Sequence, residues 1–250
     1  MKKNLLALAF LVGLLTCCKS EDAPIKPVKP TDPGSINKEY MSRAETTFAN
    51  IFKYYWSDKV RMMFGSYPNT LGTPQEPSSP DYDSHAYLWG LGSVVSAFNA
   101  IVQNTDNVDF RMTYESRLKE TLLKYYNTTK EPMCFGCFVN PHDQRLYDDA
   151  IWVGIDLADL YSKTKDSWYL DYAKSVWNFV LSGKDDELGG GVYWDENAKD
   201  SKNTCSNAPA VVLALKLYQI TNDAAYLENG KDIYKWTKSK LQDPSDYLYW

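Results

Sequence analysis

The sequence predicts an all-α fold of the α/α-toroid type, incomplete in this chain at about three to four helical hairpins. Three observations predict it. From Ile36 onward, apolar residues recur at helical spacing, and helices apolar on most faces alternate with helices apolar along one stripe. A motif returns: Leu160-Tyr161-x-x-Thr164-x-Asp166-x-x-Tyr169-Leu170 reappears as Leu217-Tyr218-x-x-Thr221-x-Asp223-x-x-Tyr226-Leu227, offset by 57 residues from Leu160 to Leu217. Thr105-Asp106, 59 residues before Thr164, is a weaker echo. Finally, three long loops all precede helices of the first kind, so they gather on one side, where a binding face is expected. A superhelical solenoid of the same hairpins is the alternative, and the one-sided loops favour the toroid.

The elements follow in order. Ile36 to Trp56 carries Tyr40, Ala44, Phe48, Ile51, Phe52 and Tyr55 on one stripe, a helix with a single buried side. Asp58 to Asp83 is a long loop rich in Pro and Gly. Ser84 to Gln103 is apolar nearly all round and reads as a buried helix. After the turn at Asn104 to Val108, Phe110 to Tyr126 is amphipathic. Asn127 to Asp143 is the second long loop, with Pro132, Gly136 and Pro141. Arg145 to Tyr161 is the second buried helix. Thr164-Lys165-Asp166 turns into the amphipathic Trp168 to Leu181. The third loop, Ser182 to Asn203, holds Gly189-Gly190-Gly191-Val192-Tyr193-Trp194. Ser206 to Ile220 is the third buried helix, and Thr221-Asn222-Asp223 leads into amphipathic Tyr226 to Leu241. A closed ring of six such hairpins needs roughly 340 residues. Ile36 to Trp250 is shorter, and Asp243 to Trp250 reads as the start of a fourth loop.

The N-terminal residues carry an export signal. Lys2 and Lys3 precede an apolar run, Leu5 to Leu15, that is too short to span a bilayer as a mature helix. It ends at Cys17-Cys18, which resembles a bacterial lipobox. We read Cys18 as the lipidated residue, with Leu15 three positions before it; Cys17, after the small Thr16, is the alternative. Residues 1–18 are then a lipoprotein signal peptide. Residues 19–35, with a charged start and Pro24, Pro27, Pro30 and Pro33, form an extended tether, and residues 36–250 form the folded domain. The expectation is a monomer outside the cytoplasm, at the outer membrane or cell surface, that meets the membrane only through its lipid. A net charge of -5 argues against nucleic acid as a partner.

The residues that could carry chemistry converge on the loop face. Asp148 and Asp149 start a buried helix. Adjacent carboxylates raise each other's pKa, a cost partly offset by the helix macrodipole; taken alone, the pair also reads as a cap and a solvated neighbour. His85 and Trp89 begin another inner helix. Tyr147 and Trp152 flank the acids, Gly190, Gly191, Tyr193 and Trp194 lie on the third loop, and Asn203, Ser206 and Asn207 begin the last inner helix. Two carboxyls, flat aromatics and amides suit glycoside cleavage: one acid protonates the leaving oxygen, and the other attacks or activates water. The 8 Trp and 19 Tyr fit sugar stacking, although most of them are expected in the core. The glycines form a plain turn or let the backbone approach a ligand closely. Cys134 and Cys137 are expected to form a local disulfide or remain structural thiols. With two His in the chain, no metal or other cofactor is expected.

Tyr147-Asp148-Asp149-x-x-Trp152, Gly189-Gly190-Gly191-x-Tyr193-Trp194 and Lys202-Asn203-Thr204-x-Ser206-Asn207-Ala208-Pro209, in this order, resemble glycoside hydrolase family 76, the endo-α-1,6-mannanases. Tyr226-Leu227 and Asp243-Pro244 extend the match over most of 36–250. The resemblance implies an (α/α)6 fold, α-mannan as substrate, and retention of configuration. It also implies Asp148 as nucleophile and Asp149 as acid/base. From their place on the loop face, Trp89, His85, Tyr147, Trp152, Gly190, Gly191, Tyr193, Trp194, Asn203 and Asn207 are read as substrate-binding. Cys205 stands where the family usually has another residue, and the last hairpins of the ring are missing. A non-catalytic glycan-binding lipoprotein is one alternative. Another toroid enzyme, such as an unsaturated glucuronyl hydrolase or a sugar epimerase, is a second; an epimerase would need inner-face His residues, and His85 and His142 are the two present.

Overall fold

A computed structural model describes residues 33–68, 85–139 and 144–249. The signal segment with Cys18, the tether up to residue 32, most of the first long loop and His142 lie outside the described residues. Two compact units are distinguished, Met1–Tyr40 and Met41–Trp250. The first is described only where its end forms the opening turns of a helix.

Seven α-helices are described: α1 Pro33–Tyr55, α2 Leu88–Asn104, α3 Val108–Tyr125, α4 Tyr147–Thr164, α5 Ser167–Ser182, α6 Thr204–Thr221 and α7 Ala224–Leu241. Helix α1 starts at Pro33, three residues before Ile36, where the sequence predicts the folded domain to begin. Proline is suited to a first helical turn, where its missing N–H has no intrahelical role. Inner helix α2 lies against α4, and α4 against α6, while α5 backs α4 and α7 backs α6. These are hairpins of an (α/α)6-type fold. The long loops all precede inner helices, as the sequence predicts, but they carry local structure. Strands β1 (Trp56–Ser57) and β2 (Met62–Met63) form one antiparallel pair, and β3 (Tyr126–Asn127) and β4 (Cys134–Phe135) form another.

The sequence repeat has a physical basis in the turns. Thr164 Oγ1 donates to the Leu160 carbonyl at 2.7 Å, and Thr221 Oγ1 to that of Leu217 at 2.7 Å. The next residue is left-handed in both cases, Lys165 at φ 63 and Asn222 at φ 57. Asp166 then accepts from the Trp168 amide at 3.0 Å, and Asp223 from the Ala225 amide at 2.9 Å. One helix is stopped and the next is capped within three residues. Thr105 and Asn107 form a looser version, with Asn107 Oδ1 accepting from the Phe110 amide at 3.0 Å and Thr105 extended.

Helix α2 begins four residues later than the apolar run suggested. The backbone of His85 bridges to Phe64, Ala86 N–H donates to Met63, and Leu88 N–H donates to the Cys137 carbonyl. These groups are spent on two neighbouring loops, so residues 85–87 stay extended. Gly154 permits close approach of α4 to both α5 and α6. A Cβ there would lie 2.9 Å from Val176 of α5 and 3.1 Å from Leu213 of α6. Buried Leu157, Ala158, Phe179, Val180, Leu213 and Leu217 complete this part of the core. Phe48, Phe98, Phe110 and Tyr114 form an aromatic cluster around α1, α2 and α3. Helix α6 is less covered than predicted: Ala208, Val212, Leu215 and Gln219 are exposed along one line.

Candidate active site

Asp148 and Asp149 occupy the first turn of α4. Successive residues on a helix diverge by about 100°, so neighbours in sequence face different surroundings. Asp149 turns inward to a cleft of about 310 Å³ lined by Leu88, Trp89, Gly92, Ser93, Ser96, Asp149 and Trp152. Asp148 turns toward the third loop, where Trp194 Nε1 donates to its Oδ2 at 3.1 Å. Its Oδ1 accepts from the Asp149 amide at 3.0 Å, which satisfies one of the open N–H groups of the helix N-terminus. The Tyr147 amide is satisfied by the Trp194 carbonyl at 2.9 Å.

The environment of Asp149 raises its pKa to about 6. Burial is the largest cause and the charge of Asp148 the second, while a hydrogen bond from the Cys137 thiol opposes both. Cys137 is itself pushed up to about 12, by burial first and then by Asp149. Cys134 is likewise pushed up to about 12 by burial. Both are free thiols, so of the two expectations for Cys134-x-x-Cys137 the structural thiols hold and the disulfide does not. Cys205 reaches the other carboxylate: burial and then Asp148, to which it is hydrogen-bonded, raise its pKa.

The predicted residues divide into two groups. Trp89 (57% exposed), Trp152 (43%) and Trp194 (38%) present indoles to solvent around the two acids. Tyr147 and Tyr193, at 1% and 2% exposure, are structural. The Tyr147 ring stacks on Phe179 at 4.3 Å, and a Cβ on Gly183 would lie 2.4 Å from it. Asn207 is also buried. It clasps Val192 of the third loop, accepting from its amide at 2.7 Å and donating to its carbonyl at 2.8 Å. Asn203 caps α6 through its backbone carbonyl. Gly190 and Gly191 have φ of 118 and 77, and a Cβ on Gly191 would meet the Trp236 ring at 2.4 Å. The space on the Cβ side of both glycines is filled by the Trp236 indole. His85 does not line the cleft; it sits between loops, its pKa lowered by burial and then by Lys124.

Ser93 and Ser96 were not foreseen. They fall four and seven residues after Trp89 on the same face of α2, and small residues at that spacing in an otherwise apolar helix were the available signal. Below the cleft floor, Ser96 hydrogen-bonds to buried Asp156, which also accepts from Asn99 at 2.8 Å. Two buried cations frame the third loop. Arg145, with no exposed side-chain surface, pairs with Glu196 and donates to the Pro132 carbonyl at 2.6 Å. Lys202, equally buried, pairs with Asp185 at 2.7 Å.

Comparison with known proteins adds the following. The family profile described as Glycosyl hydrolase family 76 matches residues 39–250. Among solved structures, a family 76 glycoside hydrolase from a bovine Bacteroides thetaiotaomicron strain is similar at 31% identity and a TM-score of 0.73, over 84% of this chain and 44% of that one. A family 76 mannosidase from Bacteroides thetaiotaomicron VPI-5482 is similar at 27% identity and 0.74, over 85% and 56%. An α-1,6-mannanase of Salegentibacter sp. HEL1_6, solved with α-1,6-mannotetrose as an inactive variant with two consecutive aspartates substituted, is similar at 25% identity and 0.63, over 84% and 54%. The chain thus spans about half the length of these proteins. No curated protein matches it.

Proposed function

The chain belongs to glycosyl hydrolase family 76, and on that premise we propose that it cleaves α-1,6-mannosidic bonds within mannan backbones with retention of configuration. The observation that carries the reading is the divergence of the two acids. Asp149 faces a cleft flanked by Trp89 and Trp152 with its pKa raised to about 6, while Asp148 is held by the Trp194 indole. A carboxyl that keeps its proton near neutrality suits a general acid, and a carboxylate fixed by a hydrogen bond suits a nucleophile.

In this mechanism the sugar stacks on the exposed indoles and its glycosidic oxygen receives the Asp149 proton as the bond to the anomeric carbon breaks. Asp148 attacks that carbon and forms a glycosyl-enzyme ester. Asp149, now ionised, takes a proton from water, which displaces Asp148 and restores the starting configuration. The order of roles follows the family resemblance, and the mannan substrate follows the descriptions of the similar structures. The lipobox-like Cys18 supports attachment of a monomer to the outer membrane or cell surface.

Asp148→Asn and Asp149→Asn are each expected to abolish release of reducing ends from α-1,6-mannan oligosaccharides, a loss of at least about a thousandfold. Normal turnover in either variant would overturn the assignment. Mannan binding without any cleavage by the unsubstituted chain would point to a glycan-binding protein instead.

A further inference from the structure

Lys202 brings a full positive charge into the interior of the third loop. Its ammonium donates to Asp185 Oδ1 at 2.7 Å, Glu187 O at 2.8 Å, Gly190 O at 2.9 Å and Asp185 O at 3.2 Å. It lies 4.3 Å from the centroid of the Tyr193 ring. Carbonyl oxygens that converge on one point repel each other unless a cation sits among them. The four consecutive positive-φ residues Leu188, Gly189, Gly190 and Gly191 turn the chain between Glu187 and Val192, so that Gly190 O joins the carbonyls of Asp185 and Glu187 around the ammonium. Leu188 has no conformational reason of its own to be there.

The segment leaving this cage carries Trp194. Its amide donates to the carbonyl of Ser201, the residue before Lys202, at 3.1 Å. The backbone that sets the Trp194 indole on Asp148 is therefore fastened on both sides by one lysine: through the caged carbonyls before it and through the chain next to Lys202 after it. We propose that Lys202 is a positioning residue for the reaction, a built-in cation that folds the glycine loop so that Trp194 Nε1 meets Asp148. The mechanistic half of this proposal rests on the reading of Asp148 as nucleophile; the structural half does not.

The test is made on the whole chain, with Lys202→Met, Trp194→Phe and the double variant, after circular dichroism shows each to be folded. The primary readout is the indole N–H resonance of Trp194, identified by its loss in Trp194→Phe. In Lys202→Met it is expected to move to the position of a solvent-bonded indole. The second readout is kinetic. On α-1,6-mannan oligosaccharides, kcat is expected to fall about tenfold in Lys202→Met, with KM changed less than about threefold, and the double variant is expected to be no slower than the slower single one. A Trp194 resonance left in place, or kcat losses that multiply, overturns the proposal. If the unsubstituted chain does not cleave mannan, the functional reading fails and the resonance alone decides the role of Lys202. If Lys202→Met does not fold, Asp185→Asn, which weakens one acceptor at a part-exposed position, is read in the same way, with a smaller displacement expected.

Discussion

The two aspartates differ by their surroundings and not by their chemistry. Asp149 is buried and Asp148 stands beside it, so the protonated form of Asp149 is favoured by folding. That contribution to stability is fully present below the ordinary carboxyl value of 3.8 and is lost as pH rises through about 6. If Asp149 is the acid, kcat/KM falls above about pH 6 on the limb it controls, and a pH–rate profile measures this directly. In Asp148→Asn the second cause of the shift disappears and the first remains. The Asp149 titration followed by carboxyl NMR then moves below about 6 but stays above its ordinary value. The pair was legible in the sequence only together with its place on the loop face, because two acids opening a helix also read as a cap and a solvated neighbour. Which acid faces the cleft was not: that depends on helical phase and on contacts from Cys137 in the preceding loop and Trp194 in the following one, which spacing along the chain does not specify.

At the scale of elements, the repeated Thr-x-Asp turns made the hairpins legible, since each motif stops one helix and caps the next. The loops were legible only as loops. Tyr147, Tyr193, Asn207 and the glycines match a substrate-binding pattern, and in the structure they hold the third loop against its neighbouring helices. Sequence alone could not separate a residue that touches a ligand from one that supports it, because both tasks select aromatics, amides and glycine. Gly191 makes the distinction testable. Gly191→Ala would place a side chain at positive φ and 2.4 Å from the Trp236 ring. Left-handed strain and overpacking together are expected to cost about 2–4 kcal/mol, read as a lowered urea midpoint, without a direct contact to substrate being removed.

At the scale of the molecule, Arg145 ties the second and third loops beneath the acids. Breaking a buried ion pair by removing one partner costs about 3–5 kcal/mol, a large share of the about 5–15 kcal/mol that holds a typical domain together. Arg145→Met is therefore expected to lower the melting temperature sharply. Burial opposes ionisation of Glu196, yet hydrogen bonds from Arg145 and Lys130 hold its pKa below the usual range. Its contribution is present above the ordinary glutamate value of 4.5 and lost as pH falls through the lower folded value, so stability measured by urea titration is expected to decline in acid.

The burial of Lys202 also makes the third loop a clock. Lys199, three residues earlier, faces the same Tyr193 ring from outside and is exposed, whereas Lys202 has no accessible side-chain surface. An amine-acylating reagent should therefore mark Lys199 at once. It can reach Lys202 only in the moments when the loop opens, so the ratio of the two labels, followed in time by mass spectrometry, counts those openings.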